Sequence, residues 1–324
     1  MHKFIQWPKI KNLHNLTTDE LNVLCNLNTL WTVTEKIDGT NFSLSITEND
    51  YKVGRRNGYL SDSVSFYNIF NNIHKLEKFI NNTQKRIEIF NTLQNAKINR
   101  IIYFGEYFGN KVINRIYYGN EYQFRIFGCY IEYIDKPSYW VPIKDILIML
   151  DCDSDQEISF VPQLAIYNSF QEACEYPNNQ PTTIYRDDKH SDPMEGVVIM
   201  PYNISPINGD YNYIIKNKNP TFLEKAIPSS KLQVTDNELE SLRNKFKEYC
   251  TESRMVSVFS KIGMPLNGIN DAGIYIKEWL QDAYEDFIQE NSLTNISKGN
   301  KRFITSVGSL GFDIFCSTMN KLNK

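Results

Sequence analysis

The chain has 324 residues, of which 41% are hydrophobic and 23% charged, so its composition excludes a disordered chain and allows two domains of ordinary size. A net charge of −3 excludes a surface coated with basic charge, so a nucleic-acid partner would need a local positive patch. The six cysteines form no C-x-x-C pair, and no apolar stretch reaches the length of a signal peptide or a membrane span. We therefore expect a soluble intracellular protein without a disulfide framework or a cysteine zinc site.

The first predicted strands lie between residues 31 and 59. Polar and apolar residues alternate in "WTVTEKIDGTNFSLSI", which places Phe42, Leu44 and Ile46 on one face of a strand. The pattern predicts a hairpin with Lys36 near its turn. A lysine in such a place is usually a solvated turn residue, and a reactive nucleophile is the alternative.

The middle of the chain is predicted to contain one helical region and several strands. Residues 63–98 carry apolar positions at helical spacing. The segments "RIIYFGEYFG", "EYQFRIFGCYIEYI", "EGVVIMPY" and "YNYIIKNK" are rich in the β-branched and aromatic residues typical of strands. Because these strands follow one another without regular crossover helices, we expect an α+β fold with antiparallel β-sheets flanked by helices.

The last third of the chain is predicted to be helical. Apolar residues recur there at three- and four-residue steps, as in Leu280, Ala283 and Phe287. We therefore predict two domains, an α+β domain of residues 1–231 and a small all-helical C-terminal domain of residues 232–324.

Charged and aromatic residues follow Lys36 as an ordered series of short motifs. Lys216 and Lys218 are separated by one residue, so strand alternation puts both ammonium groups on the same face. Two like charges on one face either share an anion or lie on the solvent side of an edge strand, and the sequence leaves both possibilities open. The rest of the series is Arg56 in "GRRNG", Glu106 in "FGEYFG", Phe127 in "FRIFG" and Glu195 in "EGVVIMP".

Together these residue types are suited to chemistry on a phosphate. A lysine attacks only in its neutral form, which nearby positive charge favours, and the same cations could neutralise a phosphate oxygen. Acidic residues could hold a divalent metal ion or a ribose hydroxyl, and a phenylalanine could stack on a purine. The sequence has no P-loop, no G-x-G-x-x-G and no H-E-x-x-H, so a glycine-rich phosphate cradle and a metalloprotease site are not expected.

The motifs resemble, in order and spacing, the signature elements of the covalent nucleotidyltransferases, and most closely the ATP-dependent RNA ligase 2 family. "EKIDGTNFSL" is similar to the nucleophile motif of that family, and "IKNKNPTFLEK" is similar to its last motif. "SKIG" before the later helices is similar to the helical C-terminal domain of phage members. The resemblance implies an N-terminal adenylyltransferase domain and an ATP-dependent RNA ligase that uses ATP with Mg²⁺ or Mn²⁺, in nick sealing or repair.

The resemblance also implies roles for individual residues. Lys36 would attack the α-phosphate of ATP, release pyrophosphate and pass the AMP to the 5′-phosphate of an RNA end, which a 3′-hydroxyl then joins. Asn41 and Arg56 would act on the RNA ends. Glu195, Lys216 and Lys218 would be catalytic with Lys36, with Glu195 supporting the metal-dependent steps. For the nucleotide, Glu35 would contact the adenine amino group, Phe127 would stack on the base and Glu106 would bind the ribose. The remaining nucleotide contacts would be Lys36, Ile37, Lys216 and Lys218.

One position departs from that family. Residue 38 is Asp, where the family usually has His, and K-x-D-G is typical of DNA ligases and mRNA-capping enzymes. Asp38 could be a metal or water ligand, or only a turn former. A DNA ligase or capping enzyme, which would usually end in a β-barrel, is therefore the alternative, and a non-catalytic nucleic-acid-binding protein is a further one. We expect RNA as the partner, no membrane and a monomer.

Overall fold

The computed structural model divides the chain into two compact units, residues 1–219 and 220–324. The predicted domain boundary at residue 231 lies outside the described residues and stays a prediction. Among the helices that are described, none has both the length and the apolar character needed to span a membrane. The structure describes residues 3–61, 66–109, 112–113, 115–151, 158–222, 238–290 and 307–322.

The first unit consists mainly of strands. In chain order these are β1 (Lys11–Asn12), β2 (Trp31–Glu35), β3 (Thr40–Ile46), β4 (Tyr51–Arg55), β5 (Gly58–Tyr59), β6 (Ile98–Phe108), β7 (Gln123–Tyr133), β8 (Tyr139–Trp140), β9 (Ile158–Phe160), β10 (Gln163–Tyr167), β11 (Gly196–Pro201), β12 (Ile207–Asn208), β13 (Tyr211–Asn212) and β14 (Ile215–Lys218). Its helices are α1 (Thr18–Cys25), α2 (Ile69–Asn72), α3 (Glu77–Leu93), α4 (Ile143–Asp151) and α5 (Phe170–Cys174). The predicted α+β class, with mainly antiparallel sheets flanked by helices, is confirmed.

The largest sheet has the strand order β5-β4-β3-β6-β7-β8, with β9 beside β7. Its neighbouring strands are antiparallel except for β7 and β9. Phe42, Leu44 and Ile46 are fully buried on β3, as the alternation predicted. Helix α3 covers the same face, because the ring of Phe79 contacts that of Tyr103, which lies opposite Leu44.

The second sheet has the strand order β1-β14-β11-β2-β10 and is antiparallel except for the pair β1 and β14. One face is apolar: Trp31 and Val33 of β2 pack with Val197 and Ile199 of β11 and with Phe170 of α5. Complete burial of one such side chain contributes about 1.5–3 kcal/mol to the stability of the fold. This core fixes the positions at which the ends of β2, β11 and β14 meet.

The predicted hairpin around Lys36 is wrong. β2 lies in the second sheet between β10 and β11, whereas β3 lies in the largest sheet between β4 and β6. The segment from Lys36 to Gly39 therefore connects two different sheets. A period of two residues identifies a strand but not its partner, and the partners of β2 come from distant parts of the chain.

The second unit contains helices and no strand among its described residues. Phe259, Trp279 and Phe315, on three different helices, are completely buried in a common aromatic core. The predicted all-helical C-terminal region is therefore confirmed where the structure describes it. The helices are α6 (Glu238–Lys247), α7 (Glu252–Ile262), α8 (Ala272–Glu290) and α9 (Gly308–Leu322).

Candidate active site

Lys36 lies directly after β2, at the point where the chain leaves the second sheet. Its backbone N–H donates a hydrogen bond to the carbonyl oxygen of Gly196, at 3.0 Å, which anchors it beside β11. Its Nζ forms a salt bridge with Oε2 of Glu195, and the Lys36 side chain is only 21% exposed. Lys36 is therefore an ion-paired group at a junction of strands and not a solvated turn residue.

Glu195 is the centre of a buried charge cluster. Its Oε1 lies 2.9 Å from Nζ of Lys218, and both side chains are 3% exposed. Burial by itself raises the pKa of Glu195, but the charges of Lys218, Lys36 and Arg115 outweigh burial and hold that pKa below its usual range. Glu195 is therefore ionised at neutral pH and shared between two ammonium groups.

The glycine after Glu195 allows these strand ends to approach each other. Gly196 has a φ of +143°, a backbone conformation that residues with side chains rarely adopt. A Cβ at this position would lie 2.4 Å from the carbonyl oxygen of Asn217 and 2.7 Å from Cα of Lys218. The "EG" pair of the motif thus places the carboxylate of Glu195 beside β14.

Lys216 and Lys218 belong to an internal strand. β14 is flanked by β11 on one side and by β1 on the other, which excludes the solvent-edge alternative. Alternation along β14 puts Lys216 and Lys218 on one face, where Lys216 lies opposite Val198 of β11. The structure therefore brings Lys36, Lys218 and Glu195 into direct contact and places Lys216 on the same strand face as Lys218.

Glu35 is a buried carboxylate held by hydroxyl and amide groups. It is 1% exposed, and no lysine, arginine or histidine of the described residues forms an ion pair with it. Oε1 accepts a hydrogen bond from Oγ1 of Thr182 at 2.5 Å, and Oε2 accepts two from Thr183, at 2.8 Å from N and 2.6 Å from Oγ1. These threonines were not predicted, because they lie in a loop distant in sequence that carries no recognisable motif.

Glu106 lies on the largest sheet, opposite Asn41 of β3 and Arg125 of β7. Burial raises the pKa of Glu106 to about 8; the charge of Lys36 opposes this rise, and Glu195 and Asp38 add to it. The charge of Arg56, at the turn between β4 and β5, also acts on this carboxyl group. The charged groups of Lys36, Glu195, Asp38 and Arg56 therefore all lie close enough to Glu106 to shift its pKa.

Phe127 lies at an irregularity of β7, where the pairing with β6 shifts by one residue. Its ring contacts that of Trp7 edge to face, with the centroids 5.0 Å apart. Trp7 also lies against Gly128, where a Cβ would come within 2.2 Å of the indole. Trp7 was not predicted, since nothing in the N-terminal sequence indicates a contact with residues so far along the chain. Ile37, the remaining predicted nucleotide contact, is buried beside Lys36.

Asp38 is bound by an arginine that the sequence analysis did not predict. Nε of Arg115 donates to Oδ2 of Asp38 at 2.9 Å, and Nη2 of Arg115 donates to Oδ1. The backbone N–H of Asp38 donates to the hydroxyl oxygen of Tyr118 at 2.9 Å. Asp38 is therefore an ion-paired residue, a role beyond the metal ligand and the turn former considered from the sequence.

Comparisons with known proteins assign the chain to a family. A family model described as RNA ligase matches residues 29–218, more than half of the chain, and one described as T4 RNA ligase 2 C-terminal matches residues 233–307. A comparison with curated proteins gave no significant match.

Solved structures of an RNA ligase from Naegleria gruberi are similar to this chain. The form with PPi is 18% identical over 69% of this chain and 58% of that chain, with a TM-score of 0.45. A mutant with AMP and Mn is 17% identical over 69% and 59%, with a TM-score of 0.47. The chain thus spans under two thirds of the length of these relatives. On the strength of the family model, the chain belongs to the RNA ligase family.

Proposed function

We propose that this chain is an ATP-dependent RNA ligase, which joins a 3′-hydroxyl and a 5′-phosphate through lysyl-AMP and RNA-adenylate intermediates. The observation that carries the proposal is the buried cluster in which Lys36 and Lys218 both bind Glu195. This cluster lies within the region that the RNA ligase family model matches. A partly buried lysine at a strand end beside a second cation is suited to attack on a phosphate.

In the first step, Nζ of Lys36 forms a bond to the α-phosphorus of ATP. The bond from that phosphorus to the bridging oxygen breaks, and the bridging oxygen leaves with its electron pair as pyrophosphate. Lys36 must first leave Glu195 and release a proton to solvent. Lys218 and Lys216 then stabilise the negative charge on the phosphate oxygens, because their strand face adjoins Lys36.

The nucleotide is positioned by residues of both sheets. Glu35 accepts a hydrogen bond from the adenine amino group, since Thr182 and Thr183 hold its carboxylate in one orientation. Glu106 binds the ribose, and Phe127 stacks on the base with Ile37 beside it. In the later steps Asn41 and Arg56 act on the RNA ends.

A divalent ion, Mg²⁺ or Mn²⁺, fits this site in a limited way. The described residues contain no group of three or more His, Cys, Asp or Glu side chains that could enclose a metal ion. Mg²⁺ commonly uses one or two carboxylates and completes its coordination with water and phosphate oxygens. The ionised Glu195 is suited to that role, and the bound ion would neutralise phosphate charge.

RNA is the favoured polynucleotide because of the second unit. A DNA ligase or capping enzyme usually ends in a β-barrel, whereas this unit contains the helices α6 to α9, and the C-terminal model of T4 RNA ligase 2 matches residues 233–307, which include α6, α7 and α8. A non-catalytic binding protein is disfavoured, because each proposed catalytic position carries a competent side chain. Nick sealing or repair, a monomeric state and an intracellular location remain part of the proposal.

The test is covalent labelling with α-labelled ATP and Mg²⁺, followed by denaturation of the protein. We expect an acid-labile, base-stable label on the wild type and none on Lys36→Ala. The matched control is Lys189→Ala, which removes an exposed lysine from a surface loop and should label normally. An unlabelled wild type, or a labelled Lys36→Ala variant, would show the proposal to be wrong.

A further inference from the structure

The ion pair between Asp38 and Arg115 has no role in the function proposed so far. Asp38 follows the nucleophile by two residues, and Arg115 comes from 77 residues further along the chain. The guanidinium binds both carboxylate oxygens, so the planar fork of the arginine is fixed in one orientation. The hydroxyl of Tyr118 holds the backbone of Asp38 in addition.

The two partners of this ion pair differ in their access to solvent. The side chain of Asp38 is 4% exposed, whereas that of Arg115 is 20% exposed. The side chain of Arg115 is therefore partly open to solvent, whereas that of Asp38 is closed to it. The positive charge of Arg115 also acts on Glu195, together with the charges of Lys36 and Lys218. Arg115 thus presents a fixed cation beside the charge cluster that contains the nucleophile.

The charges of the site show which reaction step needs such a cation most. Among the acidic side chains of the site, Glu195 is held in its charged form by Lys218, Lys36 and Arg115. The basic side chains of the site besides Lys36 are Lys216, Lys218, Arg56 and Arg115. Of the groups that react at Lys36, the triphosphate of ATP carries more negative charge than the phosphate of lysyl-AMP or the diphosphate bridge of the RNA-adenylate, so the step that uses ATP depends most on each cation.

We propose that Arg115 binds the pyrophosphate portion of the nucleotide, its β- and γ-phosphates, and that Asp38 is a positioning residue that orients the guanidinium for this contact. A guanidinium has five N–H donors, so an arginine that binds a carboxylate through Nε and Nη2 can donate two parallel hydrogen bonds to a phosphate from its other edge, Nη1 and Nη2. This inference rests on the proposed ligase function and adds the contact to the leaving group. As the bond from the α-phosphorus to the bridging oxygen breaks, Arg115 stabilises the charge that the pyrophosphate takes with it.

The test compares reactions that release or consume pyrophosphate with a reaction in which pyrophosphate takes no part. The first readouts are the KM for ATP in lysyl-AMP formation and the concentration of inorganic pyrophosphate that half-reverses preformed enzyme-AMP. The second is sealing of a nick whose 5′ end is already adenylated, which involves no pyrophosphate. We expect Arg115→Ala to raise both concentrations by about 10- to 100-fold, as for loss of a hydrogen bond between charged groups. The loss in sealing should be much smaller, and Arg115→Lys should recover part of the defect.

A structural role for Arg115 makes a different prediction. If Arg115 only neutralised the buried Asp38, then Asp38→Asn combined with Arg115→Ala would restore both concentrations to wild-type values. We expect the double variant to be no better than Arg115→Ala, and Asp38→Asn alone to show a weaker defect of the same kind. Thermal unfolding followed by circular dichroism identifies variants that fail to fold. If Arg115→Ala fails to fold, the same measurements are made on Arg115→Lys.

Two results would overturn the inference: restoration by the double variant, or an Arg115→Ala variant whose sealing falls as far as its lysyl-AMP formation. The matched control is Arg186→Ala, which removes an exposed arginine and should leave the pyrophosphate response at the wild-type value. Failure of the ligase function itself is distinguishable, because the wild type would then form no lysyl-AMP.

Discussion

The buried pair between Lys218 and Glu195 should be worth far more to the stability of the fold than an ion pair on the surface. Lys218→Met keeps most of the side-chain volume but leaves Glu195 with Lys36 as its remaining salt-bridge lysine. Removing one partner of a buried pair costs about 3–5 kcal/mol in the free energy of unfolding. We expect the lower end of this range, about 3 kcal/mol, because Lys36 continues to compensate part of the charge.

The assay is urea unfolding at neutral pH, with Lys11→Met as the matched control. The pair between Lys11 and Glu20 is 38% and 37% exposed, so its loss should cost only about 0–1 kcal/mol. Combining Lys218→Met with Glu195→Gln should recover part of the lost stability, because residue 195 then carries no buried charge that needs Lys218 as its partner. A Lys218→Met variant as stable as the Lys11→Met control would refute the reasoning.

Two further predictions concern Gly196 and Glu106, the glycine and the carboxyl group near Lys36. Gly196→Ala should lower the free energy of unfolding in urea by about 2–4 kcal/mol, since strain at a positive φ adds to a clash of the new Cβ with β14. It should also reduce covalent labelling with ATP. The control is Gly58→Ala, where an added Cβ would meet nothing within 4 Å. Glu106 keeps its proton in the folded state up to a pKa of about 8, whereas the unfolded chain loses it near 4.5, so its contribution to stability falls as pH rises between these values. Glu106→Gln should flatten that decline in unfolding free energies measured across the interval, and an unchanged slope would contradict the assignment.

The alternation of residues around Lys36 predicted the strands of this region but not how they pair. The alternation around it located both flanking strands and the buried face of Phe42, Leu44 and Ile46. The same alternation suggested a hairpin, and this was wrong because the two strands pair with different sheets. Backbone pairing over long sequence distances depends on the packing of the whole unit, which a window of sixteen residues does not contain.

The chemical identity of the site residues was determined by the sequence alone. Lys36 beside Asp-Gly, the spacing of Lys216 and Lys218, and the order of the later motifs are all written in residue types and intervals, so they needed no coordinates. The resemblance to RNA ligases rests on these features, and the family model confirms it. The helical character of the last third was also local, because three- and four-residue steps define a helix face.

Only the tertiary structure decided which charges meet. It placed Glu195 between Lys36 and Lys218, and it bound Arg115 to the carboxylate of Asp38. Each of these contacts joins side chains from different strands or loops, so no periodicity along the chain encodes them. A buried charge is stable only with a partner, and burial is a property of the packed unit. The sequence therefore identified Lys36 as the candidate nucleophile, while the fold determined which groups surround it.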